Sequence, residues 1–217
     1  MKQKIFNLII IDESGSMQSI YQQAISGLNE TIQTIRKAQE DFDDQEHYIS
    51  LVSFNTDKIK TIHDRIPISN ITEIDADKYN PNYGTPLFDA MGQSINHLNH
   101  CITENDKVLV TIITDGYENA SREYNIRSIK ELVEAMKEKG WIFTYIGANQ
   151  DAIKYAEQMS INNSLNFEAS VHGTNEMWAR ESQSRSKLFG FMSRRFRNVD
   201  TTDEDNNYNE QSDYFKK

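Results

Sequence analysis

Apolar residues along this chain occur in two alternating patterns, which predict strands and helices in turn. Short and nearly unbroken apolar runs predict strands that are covered on both faces of a sheet, and they occupy 4–11, 47–55, 107–114 and 141–146. Between these runs, apolar residues recur every three or four positions, which is typical of amphipathic helices. The helical segments are 24–42, 87–101 and 126–139, with further candidates at 152–159 and 175–191.

Two further segments complete the predicted sheet. The segment 58–66 alternates apolar and polar residues and predicts a half-exposed edge strand, and 164–169 could form one more strand. The order of elements predicts a three-layer, doubly wound α/β fold with a mostly parallel central sheet, one antiparallel edge strand and helices on both faces. An α+β fold with an antiparallel sheet is the alternative, and it is disfavoured because only 58–66 looks one-sided.

The end of the chain changes character and sets the expected domain boundaries. Segment 180–197 holds six Arg or Lys residues against one Glu, whereas 198–217 holds six acidic residues against two lysines. We therefore expect one domain over 1–197, with a strand and helix extension at about 160–197, and a disordered acidic tail over 198–217. The aromatic and basic residues of 177–197 could bind a membrane surface or an acidic partner, but a terminal helix packed on its own domain is favoured.

Charge and composition narrow the classes of function. The 217 residues carry a formal net charge of -10, which disfavours nucleic-acid binding and suits a divalent cation or a basic partner better. No apolar run is long enough to span a membrane, so no membrane partner is expected. The single cysteine excludes an internal disulfide and fits a reducing compartment, so a cytoplasmic location is expected. The oligomeric state stays open.

Polar residues whose side chains carry oxygen atoms lie at three places near the ends of predicted strands and helices. Asp12, Ser14 and Ser16 follow the first strand, Thr85 precedes a helix, and Asp115 ends the strand over 107–114. Because the carboxyl ends of neighbouring strands face one crevice in a doubly wound sheet, these five side chains could converge. Carboxylates and hydroxyls are hard ligands that suit Mg²⁺, with Mn²⁺ or Ca²⁺ as alternatives. An ion held by only two carboxylates could accept a third from a partner, which is binding without catalysis.

Each of these residues also has a simpler interpretation. Asp12 and Ser14 could cap the following helix, Thr85 could cap the helix that starts at a proline, and Asp115 could form a plain turn. Jointly these interpretations require three coincidences at one sheet edge, so the metal site is favoured.

Two functional alternatives remain beside metal-dependent binding. A metal-dependent hydrolase could use the same loops, but neither serine lies in a Gly-x-Ser-x-Gly elbow and no histidine has an evident partnering position, so no catalytic residue is assigned and no enzyme is expected. A structural domain with an unused site is the other alternative. A zinc site at His97, His100 and Cys101 is disfavoured because no second ligand pair occurs elsewhere.

Three short runs resemble the loops of one known family. The run 12–16 (Asp-Glu-Ser-Gly-Ser) resembles the Asp-x-Ser-x-Ser signature of von Willebrand factor type A domains. The runs 84–87 (Gly-Thr-Pro-Leu) and 114–116 (Thr-Asp-Gly) resemble its threonine and aspartate loops, in the same order and with similar spacing. The resemblance covers roughly 4–158, and the wider sequence resembles intracellular bacterial and phage-associated members.

The resemblance implies a metal-ion-dependent adhesion site. It implies that Ser14, Ser16 and Thr85 bind Mg²⁺ directly and that Asp12 and Asp115 act mainly through bound water. An Asp or Glu of a protein partner would then take an open position on the ion. The resemblance does not name this partner.

Overall fold

One six-stranded sheet organises the part of the chain that the computed structural model describes, which is residues 2–148, 152–198 and 207–216. Its order is β3-β2-β1-β4-β5-β6. The strands are β1 (Gln3–Asp12), β2 (Gln45–Phe54), β3 (Ile59–Pro67), β4 (Lys107–Thr114), β5 (Ile142–Ala148) and β6 (Asn163–Phe167). β3 pairs antiparallel with β2 at the edge, and all other neighbours are parallel. The predicted fold class is confirmed.

Helices cover both faces of this sheet. They are α1 (Tyr21–Asp41), α2 (Leu87–Asn99), α3 (Ile126–Glu138), α4 (Ala152–Gln158) and α5 (Val171–Phe196). One core lies between the sheet and α1 with α5, and a second lies between the sheet and α2, α3 and α4. β1 supplies Ile5 and Ile9 to the first core and Leu8 and Ile10 to the second. This two-sided burial explains why its apolar run is unbroken.

The basic and aromatic stretch near the end of the chain lies in α5, which is longer than the predicted helix over 175–191. Its aromatic residues Trp178, Phe189 and Phe191 are buried in the core shared with α1. At its end, Arg197 contacts the carboxylates of Asp43 and Asp44, each at 2.6 Å. The structure thus supports the packed terminal helix. Among the described residues, no helix combines the length and apolar character needed to cross a bilayer.

The prediction of a disordered tail over 198–217 is wrong for residues 207–216. Tyr214 and Phe215 are buried in the same core as α5. The Tyr214 backbone N–H donates to Asn163 Oδ1 at 3.0 Å, and the Arg180 guanidinium donates to the Phe215 carbonyl at 2.8 Å. The segment 198–217 is polar on average, so its composition does not reveal that two aromatic side chains supply enough apolar area to be buried. Residues 199–206 and Lys217 lie outside the described residues.

The parallel strands give the sheet two different edges. We call the edge at which β1, β4 and β5 end the carboxyl edge, and the opposite edge the amino edge. Asp12 is the last residue of β1, and Thr114 is the last residue of the adjacent β4. The loops that leave β1 and β4 therefore start side by side, and the loop before α2 joins them there through a hydrogen bond from Gly15 to the Tyr83 carbonyl, 3.0 Å long.

Candidate metal centre

Asp12 is a fully buried carboxylate at the end of β1. Its Oδ1 accepts a hydrogen bond from the Ser14 backbone N–H at 2.7 Å, and its Oδ2 accepts one from the Thr114 hydroxyl at 2.6 Å. The Tyr79 hydroxyl donates to the Asp12 carbonyl at 2.6 Å. These contacts fix the direction of the carboxylate and tie the ends of β1 and β4 together.

Two serine hydroxyls lie beside this carboxylate. The Ser14 and Ser16 Oγ atoms are 3.1 Å apart, and the Ser16 hydroxyl donates to Asp115 Oδ1 at 2.5 Å. Ser14 is the N-cap residue of a short 3-10 helix (Gly15–Ile20), yet its side chain makes no capping hydrogen bond. The interpretation of Ser14 as a helix cap is therefore not supported. The serines instead connect the loop after β1 to the loop after β4.

Thr85 brings a third hydroxyl from the loop before α2. Its backbone N–H donates to Asn119 Oδ1 at 2.9 Å, and its carbonyl accepts from the Asn119 backbone N–H at 3.1 Å. A Cβ placed on Gly116 would lie 3.5 Å from Thr85 Oγ1 and 3.8 Å from Ser16 Oγ, so both hydroxyls flank this glycine. The Thr85 hydroxyl forms no hydrogen bond within the described residues.

The structure thus brings all five predicted residues, Asp12, Ser14, Ser16, Thr85 and Asp115, to one place at the carboxyl edge. Their contacts come from three loops that are far apart in the sequence. Their role as metal ligands stays a prediction.

Within the described residues, the Asp12 and Asp115 carboxylates have no cationic partner to offset their charge. Burial raises the pKa of Asp12 to about 7, although hydrogen bonds from Thr114 and Ser14 partly offset this effect. Burial also raises the pKa of the half-buried Asp115, against the hydrogen bond from Ser16. No Lys or Arg among the described residues contributes to either shift. A cation at this position would relieve both carboxylates.

The chemistry of these side chains fits a hard divalent cation. Two carboxylates and three hydroxyls match the oxygen ligands of Mg²⁺, Mn²⁺ or Ca²⁺ and lack the nitrogen or sulfur that zinc sites use. Within the described residues, no group of three or more His, Cys, Asp or Glu side chains could hold a metal. The two histidines of the disfavoured zinc group make other contacts. His97 contacts Asp64, and His100 contacts the Asn96 carbonyl.

Glu13 supports the centre in a way that the sequence did not predict. It is buried next to Asp12, and its Oε1 accepts the Asn80 backbone N–H at 2.6 Å. Its carbonyl accepts the Asn82 backbone N–H at 2.9 Å. Glu13 therefore holds the loop that leads to Thr85 against the end of β1. Its Oε2 is buried and has no hydrogen-bond partner among the described residues.

Glu118 and Asp89 order the loop after β4, and sequence reasoning missed both. Glu118 accepts the Phe88 N–H at 2.9 Å and the Ser121 N–H at 2.6 Å, which joins the first turn of α2 to this loop. Asp89 accepts three consecutive backbone N–H groups of residues 122–124. The three donors to Asp89 and the Phe88 donor to Glu118 lie thirty or more positions away, and no local pattern in the sequence indicates such contacts.

Comparisons with known proteins agree with this fold. The family model of the von Willebrand factor type A domain matches residues 8–177, so the chain belongs to this family. No curated protein matches the chain.

Solved structures show the same fold at low sequence identity. The VWA domain of SpRpn10 has a TM-score of 0.59 and 10% identity, over 83% of this chain and 95% of that one. Manganese-loaded TRAP protein of Plasmodium vivax has a TM-score of 0.54 and 17% identity, over 82% and 71%. Proximal thread matrix protein 1 of the mussel byssus has a TM-score of 0.57 and 16% identity, over 82% of this chain and 45% of the mussel protein. The chain thus spans less than half of that relative, and these similarities show the fold alone.

Proposed function

We propose that this chain is a divalent-metal-dependent protein-binding domain. In this proposal Asp12, Ser14, Ser16, Thr85 and Asp115 hold Mg²⁺, and a partner protein completes the site with an Asp or Glu carboxylate. Mn²⁺ or Ca²⁺ could replace Mg²⁺ because they accept the same ligands. The observation that carries the proposal is the convergence of two carboxylates and three hydroxyls with no cation among the described residues to balance them.

The protein's own residues would prepare this binding. Thr114 holds the Asp12 carboxylate in a fixed direction at 2.6 Å. Ser16 directs its proton at Asp115 and accepts from the Ser14 hydroxyl, which leaves one lone pair of its hydroxyl oxygen for a cation. The bound ion would offer an incoming carboxylate a positive charge in a place that otherwise repels anions. Membership of the family supports this proposal, because the five residues lie in the runs that resemble its signature, threonine and aspartate loops.

The hydrolase alternative has less support from the same geometry. The Ser14 and Ser16 hydroxyls contact each other, Ser16 also contacts Asp115, and no His or Lys of the described residues bonds to either serine. Serine nucleophiles are activated by an adjacent base such as His or Lys, whereas the carboxylate that Ser16 contacts is one of the proposed metal ligands. A scaffold or adaptor role therefore fits better, and the cytoplasmic location expected from the composition stays a prediction.

Calorimetric titration of Mn²⁺ into the purified protein, with and without acetate, tests the proposed function. Acetate stands in for the partner's carboxylate. If acetate completes the coordination shell of the ion, it must raise the apparent affinity for the metal, because the binding of acetate and the binding of metal are linked equilibria. We expect metal binding that acetate strengthens in the wild type and that Thr85→Ala removes.

Thr103→Ala is the matched control, because Thr103 is an exposed threonine that bonds only to Asp106. It should bind Mn²⁺ as the wild type does. An absence of Mn²⁺ binding to the wild type, both with and without acetate, would contradict the proposal.

A further inference from the structure

The carboxyl edge holds most of the exposed large apolar side chains of the described residues. Tyr83 is 61% exposed, Tyr117 is 52% exposed and Ile153 is 51% exposed, and all three lie in loops or helix starts at this edge. Tyr83 lies two residues before Thr85, and Tyr117 lies two residues after Asp115. Single exposed apolar residues are ordinary, but tyrosines on two loops of one site indicate a contact surface.

Tyr83 is held beside the serine loop in an unusual conformation. Its carbonyl accepts the Gly15 backbone N–H at 3.0 Å, so the residue lies against the loop of Ser14 and Ser16. Its φ angle is 67°, in the left-handed region that Gly and Asn adopt much more readily than bulky residues. The loop therefore carries an aromatic ring at a position where a smaller residue would fit the backbone better.

Tyr117 is supported from the core by a series of aromatic rings. The Tyr117 ring meets the edge of Tyr155, with ring centres 5.5 Å apart. Tyr155 in turn packs against Tyr145 at 6.0 Å and Phe88 at 6.4 Å, and both of these are buried. This support limits the movement of Tyr117, which reduces the entropy that a partner must remove on binding.

We infer that Tyr83 and Tyr117 contact the residues that flank the partner's acidic residue, and that these flanking residues are proline or aliphatic. This inference rests on the proposed function. Tyrosine rings offer large and rigid contact area to apolar groups, and they do so at little cost in side-chain freedom. Further acidic residues in the partner are disfavoured, because the chain carries a net charge of -10 and its site already holds two carboxylates. The surface thus selects a protein segment with one acidic residue between apolar neighbours.

Selection from a phage-displayed library of short random segments with a fixed central aspartate tests this inference. Phage are bound in Mg²⁺ and released with EDTA, so only metal-dependent binders are recovered. The protein variants are the wild type, Tyr83→Asn, Tyr117→Ser and Phe196→Ser. Phe196 is the matched control because it is an exposed aromatic residue at the far end of α5.

We expect proline and aliphatic residues to be enriched beside the aspartate on the wild type and on Phe196→Ser. The recovered segments should bind Tyr83→Asn and Tyr117→Ser about tenfold more weakly, as is usual when a central aromatic contact is removed. Tyr83→Asn should also unfold at the same temperature as the wild type or higher, because Asn accepts the left-handed φ. A purely structural role of Tyr83 predicts a lower unfolding temperature instead.

The other outcomes separate the two proposals. Metal-dependent binders without apolar enrichment, or binders with equal affinity for all four proteins, would overturn the tyrosine surface and leave the proposed function in place. If none of the proteins yields an EDTA-released binder, both proposals are contradicted.

Discussion

Two buried carboxylates in this protein have opposite surroundings. Asp12 at the carboxyl edge and Glu181 in the middle of α5 are both fully buried. Glu181 Oε1 accepts from the Arg185 guanidinium at 2.7 and 2.9 Å and from the Tyr214 hydroxyl at 2.9 Å. Asp12 accepts only from neutral groups, and burial raises its pKa to about 7.

Arg185, the partner of Glu181, also forms hydrogen bonds to two strands of the sheet. Arg185 also donates to Asn7 Oδ1 on β1 and to Thr111 Oγ1 on β4, each at 2.8 Å. Burial alone lowers the pKa of Arg185, but the Glu181 carboxylate and Tyr214 together outweigh this effect and the net shift is upward. The protein thus neutralises the buried charge of α5 with its own residues. The difference teaches that the domain neutralises one buried acid with its own residues and leaves the other unpaired among the described residues, which is the arrangement that the proposed cation site requires.

The largest expected effect comes from breaking the internal ion pair. Glu181→Gln keeps the shape of the side chain but leaves Arg185 as a buried cation without a counter-charge. Removing one partner of a buried pair destabilises proteins by about 3–5 kcal/mol. Chemical denaturation should show this loss. Glu176→Gln, at an exposed position of the same helix, is the control. If Glu181→Gln loses as little stability as this control, the contrast between Glu181 and Asp12 is contradicted.

The equivalent change at the carboxyl edge should behave in the opposite way. Asp12→Asn removes a carboxylate that has no cationic partner, so we expect the free energy of unfolding in EDTA to stay equal or to rise. In Mg²⁺ the wild type alone should gain stability, about 2.7 kcal/mol at a concentration of 100 Kd. Denaturation of both proteins with and without Mg²⁺ measures this. A large loss of stability for Asp12→Asn in EDTA would show that Asp12 serves the fold.

Tyr214→Phe tests how far the segment 207–216 contributes to the internal pair. The change removes the hydroxyl that donates to Glu181 and keeps the buried ring. A hydrogen bond to a charged group contributes about 1.5–3 kcal/mol, so a loss at the lower end of this range is expected from denaturation curves. Tyr208→Phe is a useful comparison, since the Tyr208 hydroxyl is buried and has no hydrogen-bond partner in the part of the chain that the structure describes. Equal effects of the two changes would argue against the role given to Tyr214.

The smallest effect, when it is expressed per pH unit, concerns His47 beside Arg185. Burial lowers the pKa of His47 to about 3 from its usual 6.5, and the charge of Arg185 adds to this effect. Between these values the unfolded state binds a proton that the folded state does not, so stability rises with pH across this window and is complete above it. His47→Gln should lack this contribution, which amounts to at most about 1.4 kcal/mol per pH unit.

The measurement is the difference in unfolding free energy between the wild type and His47→Gln at several pH values from about pH 5 upward. Asp12 and the other acids titrate in both proteins, so their contributions cancel in the difference. A difference that does not change with pH would show that folding does not lower the pKa of His47.

The sequence was sufficient to predict the fold and the residues of the candidate centre, because both depend on local patterns. The unbroken apolar run of β1 needs a sheet covered on both faces, and strand ends in a parallel sheet bring Asp12 and Asp115 to one edge. Short sequence runs at these strand ends were therefore enough to predict that the five oxygen-bearing side chains lie near one another.

The supports of the centre and the last residues of the chain could not be predicted in this way. Glu13 binds the loop at Asn80, and Glu118 binds the start of α2, through contacts that depend on the folded chain. The composition of 198–217 indicates disorder, yet Tyr214 finds its partner on α5. Such contacts join residues distant in sequence, and single-sequence patterns carry no signal for them.

The most direct test of the central claim is the unfolding temperature of the purified wild type and of Asp115→Asn during a Mg²⁺ titration in the presence of acetate. A ligand that binds only the folded state raises this temperature with its concentration. We expect a rise that continues with Mg²⁺ concentration in the wild type and is absent from Asp115→Asn. An unfolding temperature of the wild type that does not change over the whole titration would contradict the claim that this edge of the sheet is built to hold a cation.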